Sequence, residues 1–274
     1  MISRYLYEET ARAALREDAP FGDPFGEAFH GDASGLFLAG GDGVLCGGAV
    51  ASEVFRQVDP SVFISFSPDG CRVARGDRVG KASGPAGSLL RAERGALNFL
   101  QRLSGVATAT SLYASRIAPH GTKLLDTRKT TPLLRVLEKY AVRVGGGTNH
   151  RFSLSDGILI KENGIRAAGG IAPAVAAARS TAHHLLRVEV EAETLSDVEA
   201  AVAAGADAVL LDNMPPSMVR EAVARFGGIV FLEASGGIHL GNVEEYARTG
   251  VAAVAVGAIT HSAPALDISF ELST

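Results

Sequence analysis

Hydrophobic and polar positions divide the sequence into two regimes that meet near residue 104. Before that point, short apolar runs are separated by Gly, Asp and Pro turn signals, which predicts an antiparallel sheet. The runs are GLFLAG, GVLCGGAVA, SVFISFS, CRVARG and RVGKASG, preceded by a helix predicted over residues 3–16. A second helix is predicted over GSLLRAERGALNFLQRLSG, where Arg94 belongs to a polar stripe opposite three leucines.

Beyond residue 104, apolar strand runs alternate with helical stretches. The runs are TKLLD, GILIK, LLRVEVE, AVLLDN, IVFLEAS and AAVAVGA. One of the helices between them, TLSDVEAAVAAG, begins with a capping-box pattern at Thr194 and Asp197. Fully apolar strands that alternate with helices predict a parallel sheet covered on its outer side.

Polar residues or glycine follow each of these six strands. An open doubly wound sheet needs such residues at one or two strand ends, whereas in a barrel all carboxyl ends meet on one rim. The pattern therefore predicts an incomplete α/β barrel of six to seven strands. The residues at the strand ends are Asp126, Thr127, Arg128, Lys129, Lys161, Glu162, Glu189, Glu191, Asp212, Asn213, Glu233, Ser235 and Gly257.

Composition narrows the function classes. The 274 residues are 47% hydrophobic and carry a formal net charge of -4, which argues against nucleic acid or a membrane surface as the main partner. The N-terminus lacks the apolar core of a signal peptide, and no run approaches a membrane span. Cys46 and Cys71 show no metal-ligand spacing. We expect a cytoplasmic protein.

One segment nevertheless concentrates positive charge. Residues 126–151, DTRKTTPLLRVLEKYAVRVGGGTNHR, hold seven cationic groups if the histidine is counted. The spacing of Arg135, Lys139 and Arg143 predicts a solvated helix face. The remaining cations follow strands, so in a barrel they converge and need an anionic partner. Together with Lys161, which ends the next strand, they predict an anion pocket built from Arg128, Lys129, His150, Arg151 and Lys161, with His150 as a donor to the ligand.

Two carboxylates lie near this predicted pocket. Glu191 and Asp212 end neighbouring strands and suit Mg²⁺, which prefers oxygen ligands, although each could equally pair with a nearby Lys or Arg. The Gly-containing turns in EASGGI and AVAVGAIT would be the last two of the barrel, where phosphate is commonly bound. Neither a Ser-His-Asp arrangement nor a zinc signature emerges.

Several segments, in order, closely resemble the quinolinate phosphoribosyltransferase family. They are RGALNFLQRLSGVATAT, DTRKTTPLLRVLEKYAVRVGGGTNHRFSLSDGILIKEN, VEVEAETL, LLDNM, LEASGGI and VGAITHSAPALDISF. The resemblance implies an N-terminal α/β sandwich domain, residues 1–103 joined by strand 266–274, and a barrel domain, residues 104–265. It also implies a homodimer and a Mg²⁺-dependent reaction of quinolinate with phosphoribosyl pyrophosphate, giving nicotinate mononucleotide, pyrophosphate and CO₂.

The resemblance also implies roles for individual residues. Arg94 would hold a quinolinate carboxylate in the partner subunit's site. Lys161 would lie between the two substrates, while Glu191 and Asp212 would face the ribose and the metal. Catalytic roles would fall to Lys129, Lys161, Glu191 and Asp212. The rest of the quinolinate pocket would be Thr127, Arg128, Lys129, His150 and Arg151, and the 5′-phosphate would bind Ser235, Gly236 and Gly257.

Three departures from the family pattern leave an alternative open. Gly164 stands where the family has histidine, and Leu133 stands where glycine is usual. The N-terminal EDAPFGDPFGEAF lacks the family's GDxTT pattern, and its EDAPFGD resembles instead the ModD-type molybdenum-utilisation proteins, which are related to this family. The alternative is therefore a ModD-like phosphoribosyltransferase acting on another anionic acceptor. Two other classes are a barrel lyase using Lys161 or Lys129 as a Schiff base and a non-catalytic phosphosugar-binding protein.

Overall fold

Ten α-helices and twelve β-strands order residues 2–273, which the computed structural model describes. The helices are α1 Glu8–Asp18, α2 Gly48–Val58, α3 Ala86–Ile117, α4 Arg135–Val144, α5 Glu162–Ala168, α6 Ile171–Thr181, α7 Leu195–Ala203, α8 Pro216–Phe226, α9 Val243–Ala247 and α10 Ala258–His261. The strands are β1 Asp32–Ala39, β2 Gly43–Val44, β3 Phe63–Phe66, β4 Arg72–Val73, β5 Arg78–Pro85, β6 Lys123–Leu125, β7 Ile158–Ile160, β8 Val188–Ala192, β9 Ala208–Asp212, β10 Phe231–Ser235, β11 Ala253–Ala255 and β12 Ile268–Ser273.

The chain folds into two compact units. The first contains the chain up to Ser111, Thr130–Gly146 and the residues from Ile259 onward. The second contains Leu112–Lys129 and Gly147–Ala258. In the part of the chain that the structure describes, no helix has both the length and the apolar character needed to cross a membrane.

The first unit is built on an antiparallel sheet with the strand order β12-β1-β5-β3. Phe37 of β1 is fully buried, with ring centroids 4.6 Å from Phe270 of β12 and 6.0 Å from Phe55 of α2. The strand prediction over GVLCGGAVA is wrong after its first residues, because α2 begins at Gly48. Val50, Val54 and the residues beside them are buried at helical spacing, a period that the short run up to residue 51 could not reveal.

Helix α3 is longer than the sequence pattern predicts. The pattern ends the helix at Gly105, yet α3 continues to Ile117. A Cβ atom at Gly105 would lie 2.1 Å from the carbonyl oxygen of Pro264. This glycine therefore permits a close backbone approach rather than ending the helix.

The second unit is a parallel sheet with the strand order β6-β11-β10-β9-β8-β7. Leu125 of β6 forms one further parallel bridge with Thr148. The predicted fold class, an incomplete α/β barrel of six to seven strands with an N-terminal α/β sandwich domain, is confirmed. The capping box at the start of α7 is also present, with Thr194 and Asp197 each accepting from the other's backbone.

Two family departures have different structural settings. Leu133 has a φ of 65°, in the left-handed region that favours glycine, and its side chain is 95% exposed. Glycine, the residue that the resemblance implies there, would relieve this strain. Gly164 lies in α5, where a Cβ atom would make an ordinary 3.6 Å contact with Ile160, and nothing in the structure explains the glycine.

The solvated face predicted for α4 is wrong at Lys139, which is 1% exposed. The helix buries Leu137, Glu138 and Lys139 in succession, so its buried stripe is wider than the charge spacing suggested. Glu138 is fully buried and accepts hydrogen bonds from Arg102 Nε at 3.0 Å, from Arg102 Nη2 at 2.7 Å, and from the backbone N–H and hydroxyl of Thr131 at 2.9 and 2.7 Å.

Substituting Glu138→Ala is expected to lower the free energy of unfolding by about 3 kcal/mol, because the Arg102 charge loses its buried carboxylate partner and Arg102 Nε loses its acceptor. Urea denaturation measures the change. Glu221→Ala is the matched control. Glu221 is exposed, and its ion pair with Arg225 is long at 3.7 Å, so this substitution should lower the free energy of unfolding by less than about 0.5 kcal/mol. Equal effects in the two variants would contradict the prediction.

Candidate active site

The second unit contains a cavity of about 560 Å³ at the carboxyl ends of the parallel strands. That volume lies within the range of small-molecule sites. All the lining residues come from this one unit. They are Thr127, Arg128, Lys129, His150, Arg151, Leu159, Lys161, Glu191, Leu210, Asp212, Asn213, Glu233, Ser235, Gly236, Gly237 and Ala255.

Strand register explains why these residues meet. Ser235 pairs with Asp212 across β10 and β9, and Glu191 pairs with Leu210 across β8 and β9. Side chains two apart on a strand share one face, so Glu189 and Glu191 point the same way, as do Glu233 and Ser235. The wall of the cavity therefore has an outer layer of strand-end residues and a deeper layer of residues two positions earlier.

A carboxylate pair forms one part of the rim. The Lys161 Nζ atom lies 2.6 Å from Glu191 Oε2, and the Lys161 side chain remains 59% exposed. Burial and the nearby charge of Glu191 raise the pKa of Asp212. Asn213, held at a φ of 54°, donates from Nδ2 to Asp212 Oδ2 at 2.7 Å. Two carboxylates that repel one another this close to the surface suit a hard cation between or beside them.

The turn after β10 brings backbone N–H groups to the same rim. Gly236 and Gly237 have φ values of 87° and 62°. A Cβ atom at Gly236 would lie 2.3 Å from Asn213 Oδ1, so only glycine fits beside the amide that supports Asp212. Successive N–H groups in such a turn form a concave donor site suited to phosphate oxygens.

Two arginines converge on another part of the wall. Burial and the charge of Arg128 lower the pKa of Arg151. Arg151 Nη1 also donates to the Gly157 carbonyl at 2.8 Å, which fixes the side chain. Like charges in a half-buried position repel, and a doubly charged anion placed between them would remove that repulsion.

The loop that carries these cations is tied to the barrel by a buried carboxylate. Asp126 is fully buried and accepts from the backbone N–H of His150 at 2.9 Å and from Asn149 Nδ2 at 2.5 Å. The hydroxyl of Thr127 accepts from the backbone N–H of Lys129 at 3.0 Å. These bonds fix the strand end after β6 and the histidine loop relative to each other.

His150 lines the cavity with both ring nitrogens engaged by the protein. Nδ1 accepts from the backbone N–H of Arg151 at 2.7 Å. Nε2 lies 3.0 Å from Glu189 Oε2 and 3.4 Å from Glu233 Oε1. Burial lowers the pKa of His150, but the two carboxylates outweigh burial and raise it to about 10. Protonation at Nδ1 would end the hydrogen bond from Arg151. The carboxylates therefore favour the charged ring, whereas the bond from Arg151 favours the neutral ring.

Most of the residues predicted for the site line this one cavity. The exceptions are Gly257, which follows β11, and Arg94, which is exposed on α3 of the first unit. Four further residues belong to the site although the sequence pattern predicts only that they are polar residues at strand ends: Asp126, Glu189, Asn213 and Glu233. Period-two alternation in β8 and β10 is the signal that could have identified the two glutamates, since it places them on the inner face with Glu191 and Ser235.

The chain matches two family descriptions that together span nearly its whole length. Quinolinate phosphoribosyl transferase, C-terminal domain, matches residues 106–271, and the N-terminal domain of the same family matches residues 29–104. The chain belongs to the quinolinate phosphoribosyltransferase family. The family resemblance read from the sequence is thereby confirmed.

Individual members of the quinolinate phosphoribosyltransferase family match over almost all of the chain. A probable nicotinate-nucleotide pyrophosphorylase [carboxylating] of Bacillus subtilis is 42% identical, covering 100% of this chain and 92% of that protein. The chloroplastic enzyme of the same name from Arabidopsis thaliana is 39% identical over 98% of this chain and 84% of its own. The solved nicotinate-nucleotide pyrophosphorylase of Francisella tularensis is 40% identical with a TM-score of 0.95, covering 100% of this chain and 98% of that one.

Proposed function

We propose that the chain transfers a phosphoribosyl group from phosphoribosyl pyrophosphate to quinolinate, with loss of CO₂, giving nicotinate mononucleotide and pyrophosphate. The relatives named above support this reaction, as does one observation in this chain. A single cavity combines a cationic wall, a carboxylate pair and a glycine turn suited to phosphate. These features match the three chemical parts of the two substrates: an acidic pyridine, a ribose that becomes cationic, and a 5′-phosphate.

The cationic wall suits the acceptor. Quinolinate carries two adjacent carboxylates, and the planar guanidinium groups of Arg128 and Arg151 suit bidentate bonds to carboxylates. Lys129 adds a compact positive charge beside them. Binding the dianion would neutralise cations that otherwise repel, so the pocket is electrostatically prepared for it.

The carboxylate pair suits the ribose. The pyridine nitrogen of quinolinate forms a bond to the anomeric carbon as the bond from that carbon to pyrophosphate breaks. Positive charge develops on the ribose during this step, and Asp212 and Glu191 are placed to stabilise it. The new bond leaves the ring nitrogen positively charged. That charge stabilises the electron pair left on the neighbouring ring carbon when the carboxylate leaves as CO₂, and a proton then bonds to that carbon.

Mg²⁺ fits the residues present, because Glu191 and Asp212 offer carboxylate oxygens beside the predicted pyrophosphate position. When bound, the ion would neutralise negative charge on the leaving pyrophosphate. Lys161 holds Glu191 at 2.6 Å and would contribute a second positive charge on the same side. Magnesium dependence and dimerisation with Arg94 acting across the interface stay predictions from the resemblance, and a cytoplasmic location stays a prediction from the sequence features.

Asp212→Asn is expected to weaken Mg²⁺-dependent turnover about tenfold or more while changing quinolinate binding less than threefold, because Asp212 lies on the ribose side of the cavity. Turnover is measured against Mg²⁺ concentration at saturating substrates, and quinolinate binding by calorimetry. Asp197→Asn, a change in the capping box of α7, is the control for a lost carboxylate elsewhere. An unchanged Mg²⁺ dependence would remove Asp212 from the metal site.

The experiment that tests the function is pyrophosphate release from phosphoribosyl pyrophosphate with a panel of acidic pyridines and pyrimidines. We expect release with quinolinate, with CO₂ formed in equal amount. Release with another acid alone would favour a ModD-like transferase, and binding without release would indicate a phosphosugar-binding protein. The Schiff-base lyase is disfavoured, because Lys161 is ion-paired and exposed and Lys129 is also exposed, so neither lysine is held in an apolar pocket.

A further inference from the structure

Two buried glutamates lie beneath the cationic wall, and the proposed reaction gives them no direct role. Glu233 is 1% exposed, and burial raises its pKa. Its Oε1 atom has no hydrogen bond within the described residues; the His150 ring lies next to it at 3.4 Å. Glu189 is also buried and approaches the same nitrogen at 3.0 Å. Burying two carboxylates side by side is unfavourable, so an arrangement that keeps both points to a role beyond packing.

The histidine ring links these carboxylates to the acceptor wall. Its Nε2 edge faces Glu189 and Glu233, and its Nδ1 atom accepts from the backbone N–H of Arg151 at 2.7 Å. Rotation of the ring would therefore break contacts on both edges and release the Arg151 backbone. Glu189 also stabilises the charge of Arg151, opposing the effects of burial and Arg128 on its pKa.

We propose that Glu189 and Glu233 are positioning residues: they hold the imidazole ring of His150, and through it Arg151, in the orientation that receives the carboxylates of the acceptor. The inference rests on the proposed function. Glu189 fixes the ring through a 3.0 Å hydrogen bond to Nε2, Glu233 places a second carboxylate 3.4 Å from the same nitrogen, and the ring fixes the arginine.

Leucine and glutamine variants at the two positions separate orientation from charge. Leucine removes the acceptor at similar volume, so Glu189→Leu and Glu233→Leu should each raise the KM for quinolinate about tenfold or more, with the KM for phosphoribosyl pyrophosphate within about twofold of wild type. Glutamine keeps an acceptor oxygen, so Glu189→Gln and Glu233→Gln should hold the quinolinate KM within about threefold. Glu199→Leu, at an exposed position on α7, is the control. If a leucine variant does not fold, the alanine variant at the same position replaces it in the experiment, because alanine also removes the acceptor.

A double-mutant cycle tests whether the glutamates act through the histidine. In a His150→Leu background, adding Glu189→Leu or Glu233→Leu should change the quinolinate KM by less than about twofold. Additive effects, a wild-type KM in the leucine variants, or glutamine variants as impaired as leucine would each overturn the proposal. So would stoichiometric Zn²⁺ binding that is lost in Glu233→Gln, since that would make the cluster a metal site. If the wild-type chain releases no pyrophosphate with quinolinate, the proposed function fails, and this inference fails with it.

Discussion

Quinolinate is expected to exceed nicotinate in kcat/KM by about a thousandfold or more, which corresponds to about 4 kcal/mol in transition-state binding. Nicotinate lacks the carboxylate next to the ring nitrogen. In its complex, one of the half-buried cations that quinolinate neutralises would stay without an anionic partner in the cavity wall. An uncompensated charge of that kind costs several kcal/mol, more than any other single difference between the two acids.

Arg151 is the cation that we expect to stay unpaired when nicotinate binds. Arg151 is half-buried, is fixed by its bond to the Gly157 carbonyl, and is close enough to Arg128 for that charge to lower its pKa. The side chain is therefore poorly placed to turn toward water when no carboxylate meets it. A lysine at either position would lose the planar fork but keep a charge, and Arg151→Lys should reduce the preference for quinolinate at least about tenfold.

The measurement compares kcat/KM for both acids at saturating phosphoribosyl pyrophosphate and Mg²⁺. Arg143→Lys is the control, because Arg143 is exposed on α4 and belongs to the first unit. Comparable values for quinolinate and nicotinate, or no turnover of quinolinate, would contradict the main proposal. A ModD-like transferase acting on another acceptor would then be the favoured function, and Gly164 and the N-terminal loop would be the first residues to examine.

The barrel and its rim could be predicted because they depend on local patterns. Six apolar runs gave six of the strands, and the residues following each run necessarily share one rim in a parallel barrel. The cavity lining that includes Lys129, Lys161, Glu191 and Asp212 follows from that topology alone. No long-range pairing had to be known in advance.

The parts that escaped prediction depend on contacts between distant segments. Glu189 and Glu233 lie on strands separated by β9, and they meet only because His150 reaches both from a loop. Lys139 is buried although its spacing from Arg135 and Arg143 matches an exposed face. The glycine at position 105 within α3 likewise reflects the nearby Pro264 backbone, which is remote in sequence. Periodicity indicates which face a residue occupies but not what covers that face.

Subunit mixing is expected to restore activity to two inactive variants, Arg94→Ala and Lys161→Ala. Arg94 is exposed on α3 and is absent from the cavity lining, whereas Lys161 lines the cavity beside Glu191. If Arg94 serves the partner's cavity, a hybrid dimer of the two variants contains one site with both residues and one site with neither. Random exchange of equal amounts makes about half of all dimers hybrids, so about a quarter of wild-type activity should return.

The reciprocal mixture makes the test sharper. When wild-type chains are mixed with equal amounts of the double variant carrying both Arg94→Ala and Lys161→Ala, a shared site leaves every hybrid dimer without a complete cavity. Activity per total chain should then fall to about a quarter of the wild-type value. If each cavity were instead complete within one chain, the mixture would keep about half of the wild-type activity. Subunit exchange is verified by mass spectrometry of differently tagged chains. Once exchange is verified, no recovery in the first mixture together with a half in the second would show that Arg94 acts within its own subunit or not at all.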